Sequence, residues 1–217
     1  MIIFGFLKLY TPSKSRTPDL QAKEMSPTGN YLNAITNRRT IYNLKPELPQ
    51  GVGLDDVKRT VHVILKNTPT AFNSQVNRAV IIVGDTHKRI WDAVASAMPT
   101  AEAKKRPESC RDEAYGSVIF FTDEGPTEKL QRDFPALAAA FPTCAAHTTG
   151  AVQIQSWTAL ELLGLGANLQ HYNDYVKSAL PQDVPIAWTV QSQLVFGVPT
   201  ALPEEKTFIN NVINVYH

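Results

Sequence analysis

Apolar residues recur along this chain with two different periods. In "LDDVKRTVHVILKNT" (54–68), Val57, Val61, Ile64 and Leu65 fall on one face at helical spacing, and Asp55 and Asp56 stand in the first turn, where the helix dipole favours negative charge. The pattern predicts an amphipathic helix packed on a flat surface. "AVIIVG" (79–84) and "SVIFFTD" (117–123) are instead short β-branched and aromatic runs bounded by Gly and Asp, which predicts two central strands. Between them "THKRIWDAVASAM" (86–98) reads as a helix, and "PTAEAKKRPESCRDEAYG" (99–116), polar and interrupted by Pro107, as a surface segment.

Further on, "TCAAHTTGAVQIQSWTALELL" (143–163) places Ile154, Trp157, Leu160 and Leu163 on or near one face and runs into the glycines of 164–166, so it predicts the longest helix. "NDYVKSAL" (173–180) predicts a short helix, and "IAWTVQSQLVFGVP" (186–199) a strand near its middle. In the tail "KTFINNVINVYH" (206–217), Phe208, Val212 and Val215 alternate with Asn210, Asn211 and Asn214. A strand is expected there, exchanged onto another subunit for want of a local partner. The order is a mixed α/β pattern whose sheet would be covered by helices on both sides.

At 217 residues with 43% hydrophobic content, the chain can bury one substantial core. "MIIFGFLKLY" is too short to cross a bilayer, and the polar segment after it lacks a signal-peptide cleavage site. Residues 1–24 are expected to be a disordered or vector-derived leader, with one domain from 25 to 217 that begins at a helix capped by Thr28 or Asn30. Twenty-one basic and 20 acidic residues nearly cancel, so there is no general field for nucleic acid or an anionic membrane. Cys110 and Cys144, 34 positions apart, fit neither a disulfide framework nor a zinc site and read as thiols in a reducing compartment. A cytoplasmic location is expected, with the nucleus as a second one.

Several chemistries are excluded. "GLGANL" has Leu169 where a dinucleotide loop needs its third glycine, and it follows a helix instead of a strand. There is no GxxxxGK[ST] loop or GxSxG elbow, and His62, His87, His147, His171 and His217 have no metal-like spacing.

Three polar stretches remain. In "NRRTIYNL" (37–44), Arg38 and Arg39 beside Thr40 could form a compact phosphate site, since guanidinium groups bond phosphate in a planar, two-pronged way. They could equally be a solvated cationic helix end. "NTPTAFNSQ" (67–75) ends in Asn73, Ser74 and Gln75, able to read the N/O edge of a flat heterocycle or the hydroxyls of a ribityl chain; a plain turn is the alternative. "GLGANLQHYN" (164–173) has glycines that admit close backbone approach and adds Asn168 and Gln170.

In this order and spacing, "RRTIYNL", "PTAFNSQ" and "GLGANLQHYN" resemble the FMN-dependent nitroreductase family, in particular its small fungal and bacterial branch. The resemblance runs from about Met25 to the end. It implies an α+β, nitroreductase-like three-layer α/β/α sandwich with a mixed, mostly antiparallel sheet, assembled as an intertwined homodimer with exchanged C-terminal segments. It also implies two FMN sites at the interface. Arg38, Arg39, Thr40 and the late Lys206 would hold the phosphate, and Asn73, Ser74 and Gln75 would face the ring and ribityl chain. The 166–171 loop (Gly166, Ala167, Asn168, Leu169, Gln170, His171) would lie with its backbone beside the ring. Many relatives have Pro and an aromatic where this chain has Val76 and Asn77.

The activity so implied is a ping-pong oxidoreductase taking hydride from NADH or NADPH and passing it to nitroaromatic or quinone-like acceptors, with no side chain assigned as acid or base and no metal. Two rivals remain: a flavin-binding regulator of lipid or oxidative-stress signalling with little turnover, and a non-enzymatic interaction domain.

Overall fold

The computed structural model describes residues 26–217, so the expected leader lies outside the described residues. The chain divides after Asn37 into two compact units. The described part of the first is helix α1 (Pro27–Asn37). Its start is capped by Ser26, whose hydroxyl oxygen accepts the Gly29 N–H at 3.0 Å, in place of the expected Thr28 or Asn30. Tyr31, Leu32 and Ile35 on this helix are exposed.

The second unit carries β1 (Leu44–Lys45), α2 (Leu54–Asn67), β2 (Asn77–Val83), α3 (Gly84–Ala97), α4 (Ala101–Glu113), β3 (Gly116–Asp123), α5 (Glu124–Asp133), α6 (Phe141–Leu162), β4 (Gly166–Gln170), α7 (Asn173–Ala179) and β5 (Trp188–Pro199). The strands run β1-β5-β3-β2, with β4 also paired to β5, and every pairing is antiparallel. Among the described residues, one parallel bridge joins Thr40 to Ala167.

Because side chains alternate across a strand, β3 feeds two cores at once. Ile119 and Phe121 join Ile90, Trp91, Val94, Cys110 and Val176, from α3, α4 and α7. Val118 and Phe120 join Val57, Val61, Val152, Trp157 and Leu160, from α2 and α6. The sheet is thus covered on both faces, and at about 25 cal/mol per Å² these two layers are its main source of stability.

Three sequence expectations change. Residues 101–113, read as a surface segment, form α4 despite Pro107. A mid-helix proline costs about 3 kcal/mol. Here Thr100 caps the helix by accepting the Ala103 N–H at 3.2 Å, and Pro107 and Cys110, one turn apart, are buried where α4 packs on α3. The strand 79–84, expected to be central, is β2 at the end of the sheet, with β3 as its only strand partner among the described residues. The tail 206–217 forms no strand within this chain. Phe208, Ile209, Val212, Ile213, Val215 and Tyr216 all stand exposed along it.

Under α3, the buried His87 belongs to a directional chain of hydrogen bonds. Its Nε2–H donates to the Cys110 carbonyl at 2.8 Å, and its Nδ1 accepts from the Ser117 hydroxyl at 3.3 Å. Ser117 Oγ in turn accepts the Trp91 indole N–H at 3.1 Å. Only the neutral ring satisfies this chain, and burial holds the His87 pKa below its ordinary value. Cys110 nearby has its thiol pushed up to about 12 by the same burial, which makes it unreactive.

A depressed histidine pKa stabilises the fold above the unfolded value and loses that contribution as pH falls, because the unfolded chain then takes up a proton the native one refuses. The contribution of His87 to the melting temperature is therefore expected to fall between about pH 7.5 and pH 5.5, so that the wild-type melting temperature drops relative to that of His87→Gln as pH falls. At the upper pH the variant should cost about 1–3 kcal/mol for its lost partners. Parallel pH dependences of the two proteins in thermal melts would exclude His87 as the source.

Gly197 on β5 lets β1 approach: a Cβ there would stand 2.6 Å from the Lys45 carbonyl oxygen and 3.3 Å from the Tyr115 nitrogen. Gly197→Ala is expected to destabilise the protein by about 1–3 kcal/mol, read as a lower denaturation midpoint. An unchanged midpoint would mean that β1 shifts at no cost.

Candidate functional site

The segment between Asn37 and β1 has little secondary structure of its own, so its shape comes from what pins it. Ile41 N–H donates to the Ala167 carbonyl at 2.9 Å, and the Asn168 side-chain amide donates to the Ile41 carbonyl, also at 2.9 Å. Two residues later, the Asn43 carbonyl accepts the Thr200 N–H at 3.0 Å. These bonds lay residues 38–43 against β4 and draw the chain leaving β5 across them. Between the two strands of chain lies a cavity of about 400 Å³, walled by residues 38–43 on one side and 202–207 on the other.

Arg38, Arg39, Thr40 and Lys206 all line this cavity. The Arg38 guanidinium lies over the Trp157 ring, 4.4 Å from its centroid, an arrangement in which the aromatic face favours the cation. Arg39 Nη2 donates to the Glu204 carbonyl, tying the tail to the arginine wall. Lys206 Nζ stands 5.3 Å from the centroid of Phe208. Glu204 and Glu205 share the wall, so the cations are not massed without counter-charge. Two guanidiniums, an ammonium and a hydroxyl facing one space of this size form a donor set suited to a phosphate monoester.

Sequence reasoning did not single out Glu161. At the end of α6 it accepts the Arg39 backbone N–H with both carboxylate oxygens, each at 3.0 Å. Partial burial raises its pKa to about 7, against the opposing effects of that N–H and of the Arg38 charge. Glu161 is the only Asp, Glu, Lys or Arg of a 22-residue helix, which marks it in the sequence without naming its partner.

The other expected residues lie elsewhere. Segment 166–171, read as a loop, is mostly strand β4, paired with β5 through Gly166–Gln170. Gly166, Ala167 and Asn168 are buried, and the Asn168 amide is engaged by Ile41, with its Oδ1 accepting from Gln170 at 2.7 Å. Leu169 is half-buried and His171 is exposed beyond the strand. Backbone hydrogen bonding won over the glycine cue, because Gly166 fits where a Cβ would meet Leu44 and Pro199 at 3.0 Å.

Asn73 ends a 3₁₀ turn (Ala71–Asn73) after α2, Ser74 caps it and Gln75 follows, and none of the three lines the arginine cavity. Phe72, Asn73 and Gln75 all have φ near +50°, the left-handed region. Asn73 and Gln75 are exposed, and the Gln75 N–H is held by the Thr70 hydroxyl at 2.9 Å. Gln75 instead lines a separate hollow with His62, Lys66, Arg78 and Trp188. Val76 is buried, and Asn77 opens β2 and donates to Thr149 at 2.7 Å. Both residues that depart from the family pattern are therefore used by the core.

A family model described as the nitroreductase family matches residues 35–198. The chain is 58% identical to the protein named "Putative nitroreductase HBN1" of Saccharomyces cerevisiae, over 89% of this chain and 100% of that one. A crystal structure of a nitroreductase from Saccharomyces cerevisiae is 93% identical over 88% of this chain and 100% of its own, with a TM-score of 0.79. Nitroreductase CinD from Lactococcus lactis, in complex with chloramphenicol, is 36% identical over 83% of this chain and 95% of its own, with a TM-score of 0.75. The same protein has been solved with 4-nitrophenol. At 18% identity and a TM-score of 0.58, a nitroreductase-like structure from Desulfovibrio desulfuricans shares the fold and contains FMN. The matched span and these identities, on an α+β fold with an antiparallel sheet, make this chain a member of the nitroreductase family.

Proposed function

We propose that this chain is an FMN-dependent oxidoreductase that passes reducing equivalents from NADH or NADPH to nitroaromatic or quinone-like acceptors by a ping-pong mechanism. The observation that carries the reading is the convergence of Arg38, Arg39, Thr40 and Lys206, from opposite ends of the chain, on one cavity. Their donors fit the FMN phosphate, and bound FMN would supply the hydride-accepting and hydride-donating chemistry. The chain's own part is to hold and orient. Arg38 and Arg39 neutralise phosphate charge, Thr40 adds a neutral donor, and Lys206 closes the site from the tail. Relatives seen with chloramphenicol, 4-nitrophenol and FMN support the substrate and cofactor classes.

The ring and ribityl chain would be read by Asn73, Ser74 and Gln75. Since that segment lines no part of the arginine cavity, a second copy would bring the two halves together as a homodimer. The tail of that copy, with its exposed apolar residues, would run along β2, whose outer edge has no strand partner among the described residues.

Arg39→Ala should weaken FMN binding about ten- to a hundred-fold, because charge-assisted bonds to phosphate are lost, and should leave riboflavin affinity unchanged. Flavin fluorescence titration measures both. Wild-type protein should also oxidise NADH or NADPH in steady state when a nitroaromatic acceptor is added; a protein that binds no FMN and oxidises neither would end the proposal. Ending the chain after Pro203 should lower both the subunit mass seen by light scattering and the FMN affinity. A truncated protein that remains dimeric with unchanged affinity would show that the tail serves neither.

A further inference from the structure

We infer that Glu161, seated by the packing of α6, is a positioning residue for the anion site: it fixes the Arg39 backbone, and Trp157 one turn earlier seats the Arg38 side chain. The inference rests on the FMN reading above. Its own ground is geometric. Both oxygens of one carboxylate are spent on a single backbone N–H, at 3.0 Å each, across 122 residues of sequence. Residues 157 and 161 lie one above the other on the helix, so one face of its last turn holds both arginines, one by backbone and one by ring stacking. Helix α6 is anchored by the buried Val152, Ser156 and Leu160, so this face cannot drift with the cavity wall.

The role has an electrostatic consequence. Arg38 and Arg39 are the charged groups whose fields act on Glu161; α6 itself adds only His147, at its far end, and the tail brings Glu204, Glu205 and Lys206 to the cavity. A phosphate bound at the arginines is an anion near this carboxyl and raises its pKa further above the value near 7 that burial sets. By linkage, phosphate and the Glu161 proton favour each other, so ionisation of Glu161 weakens FMN binding as pH rises through this range and opposes the gain that ionisation of the phosphate itself gives at the arginines.

The experiment compares wild type, Glu161→Gln and Glu161→Ala in full-length protein, titrating FMN and riboflavin by fluorescence at about pH 6, 7 and 8. Glu161→Gln keeps an acceptor oxygen without the charge. It should bind FMN within about two-fold of wild type at the lowest pH and more tightly than wild type, by a growing margin, as pH rises. Glu161→Ala, which removes the acceptor, should bind FMN about ten-fold more weakly, with riboflavin unchanged. Far-ultraviolet circular dichroism establishes that each variant is folded, and if Glu161→Ala is not, the pH profile of Glu161→Gln decides alone. Equal FMN affinities in wild type and folded Glu161→Ala, or identical pH profiles in wild type and Glu161→Gln, overturn the inference. Wild-type protein with no affinity for FMN at any pH overturns instead the function on which it rests.

Discussion

The cavity wall that carries Arg38, Arg39 and Thr40 depends on pinning down a short segment with little secondary structure of its own. Residues 38–43 are held by the carboxylate of Glu161 at Arg39, by the Ala167 carbonyl and Asn168 amide at Ile41, and by the Thr200 N–H at Asn43. Leu44 and Lys45 then pair with Val198 and Pro199. These contacts come from α6, β4 and β5, and each satisfies a backbone group that would otherwise need water. An arginine side chain loses up to about 2 kcal/mol of rotamer freedom when ordered, so a site with two of them gains when their backbone is fixed in advance. Here the fixing is shared by two side chains, the half-buried Glu161 and the buried Asn168, and by the backbone of Ala167 and Thr200.

Those anchors are rigid because the sheet beneath them is packed on both faces. The strand β5 is the common element: it pairs with β1, β3 and β4, and its interior, from Ser192 to Gly197, is buried. A strand buried on both faces resists sliding, since a one-residue slip would turn every side chain to the opposite core. The chain leaving β5 continues directly into the tail wall of the cavity. Lys206 thus starts from a fixed point, although it lies 168 positions from Arg38 in sequence.

Long periodic segments were readable from sequence alone. The helices around 54–68, 86–98 and 143–163 form within two residues of their expected bounds; the first has the apolar face expected of it, and the last, though Ile154 on its expected face stands exposed, stops at the glycines that follow it. Local cues misled where tertiary contacts overrode them. Pro107 breaks a helix in isolation, but not one that buries Pro107 and Cys110 against α3. Gly166 suggested a loop, yet its missing Cβ is what admits Leu44 and Pro199 beside β4. The chemistry of Arg38, Arg39 and Thr40 suggested an anion site, Lys206 entered only through the family resemblance, and the fold lines all four along one cavity. Glu161 was not legible, because a single glutamate in a helix says nothing about a backbone N–H at Arg39, and only the fold brings the two within 3.0 Å.

The segment 72–75 poses the remaining physical question. Phe72 and Gln75 have positive φ without being glycine, a conformation that costs about 1 kcal/mol or more at each, and Asn73 shares it with less penalty. The bends are enforced by hydrogen bonds from Asn73 to the Thr70 carbonyl and from Ser74 to the Ala71 carbonyl, both at 3.0 Å, and by the Thr70 hydroxyl at Gln75. The aromatic rings of Phe72, Phe134 and Phe141 then cluster over the turn, with centroids 4.7, 5.7 and 6.4 Å apart. Strain so firmly supported is not a folding accident, yet its result is to turn the amide side chains of Asn73 and Gln75 outward, where both stay exposed. Two exposed amides on a strained turn and two arginines in a separate cavity are what a ligand site shared between two copies would require, and under the proposed function apposition of two copies would bring them to one ligand.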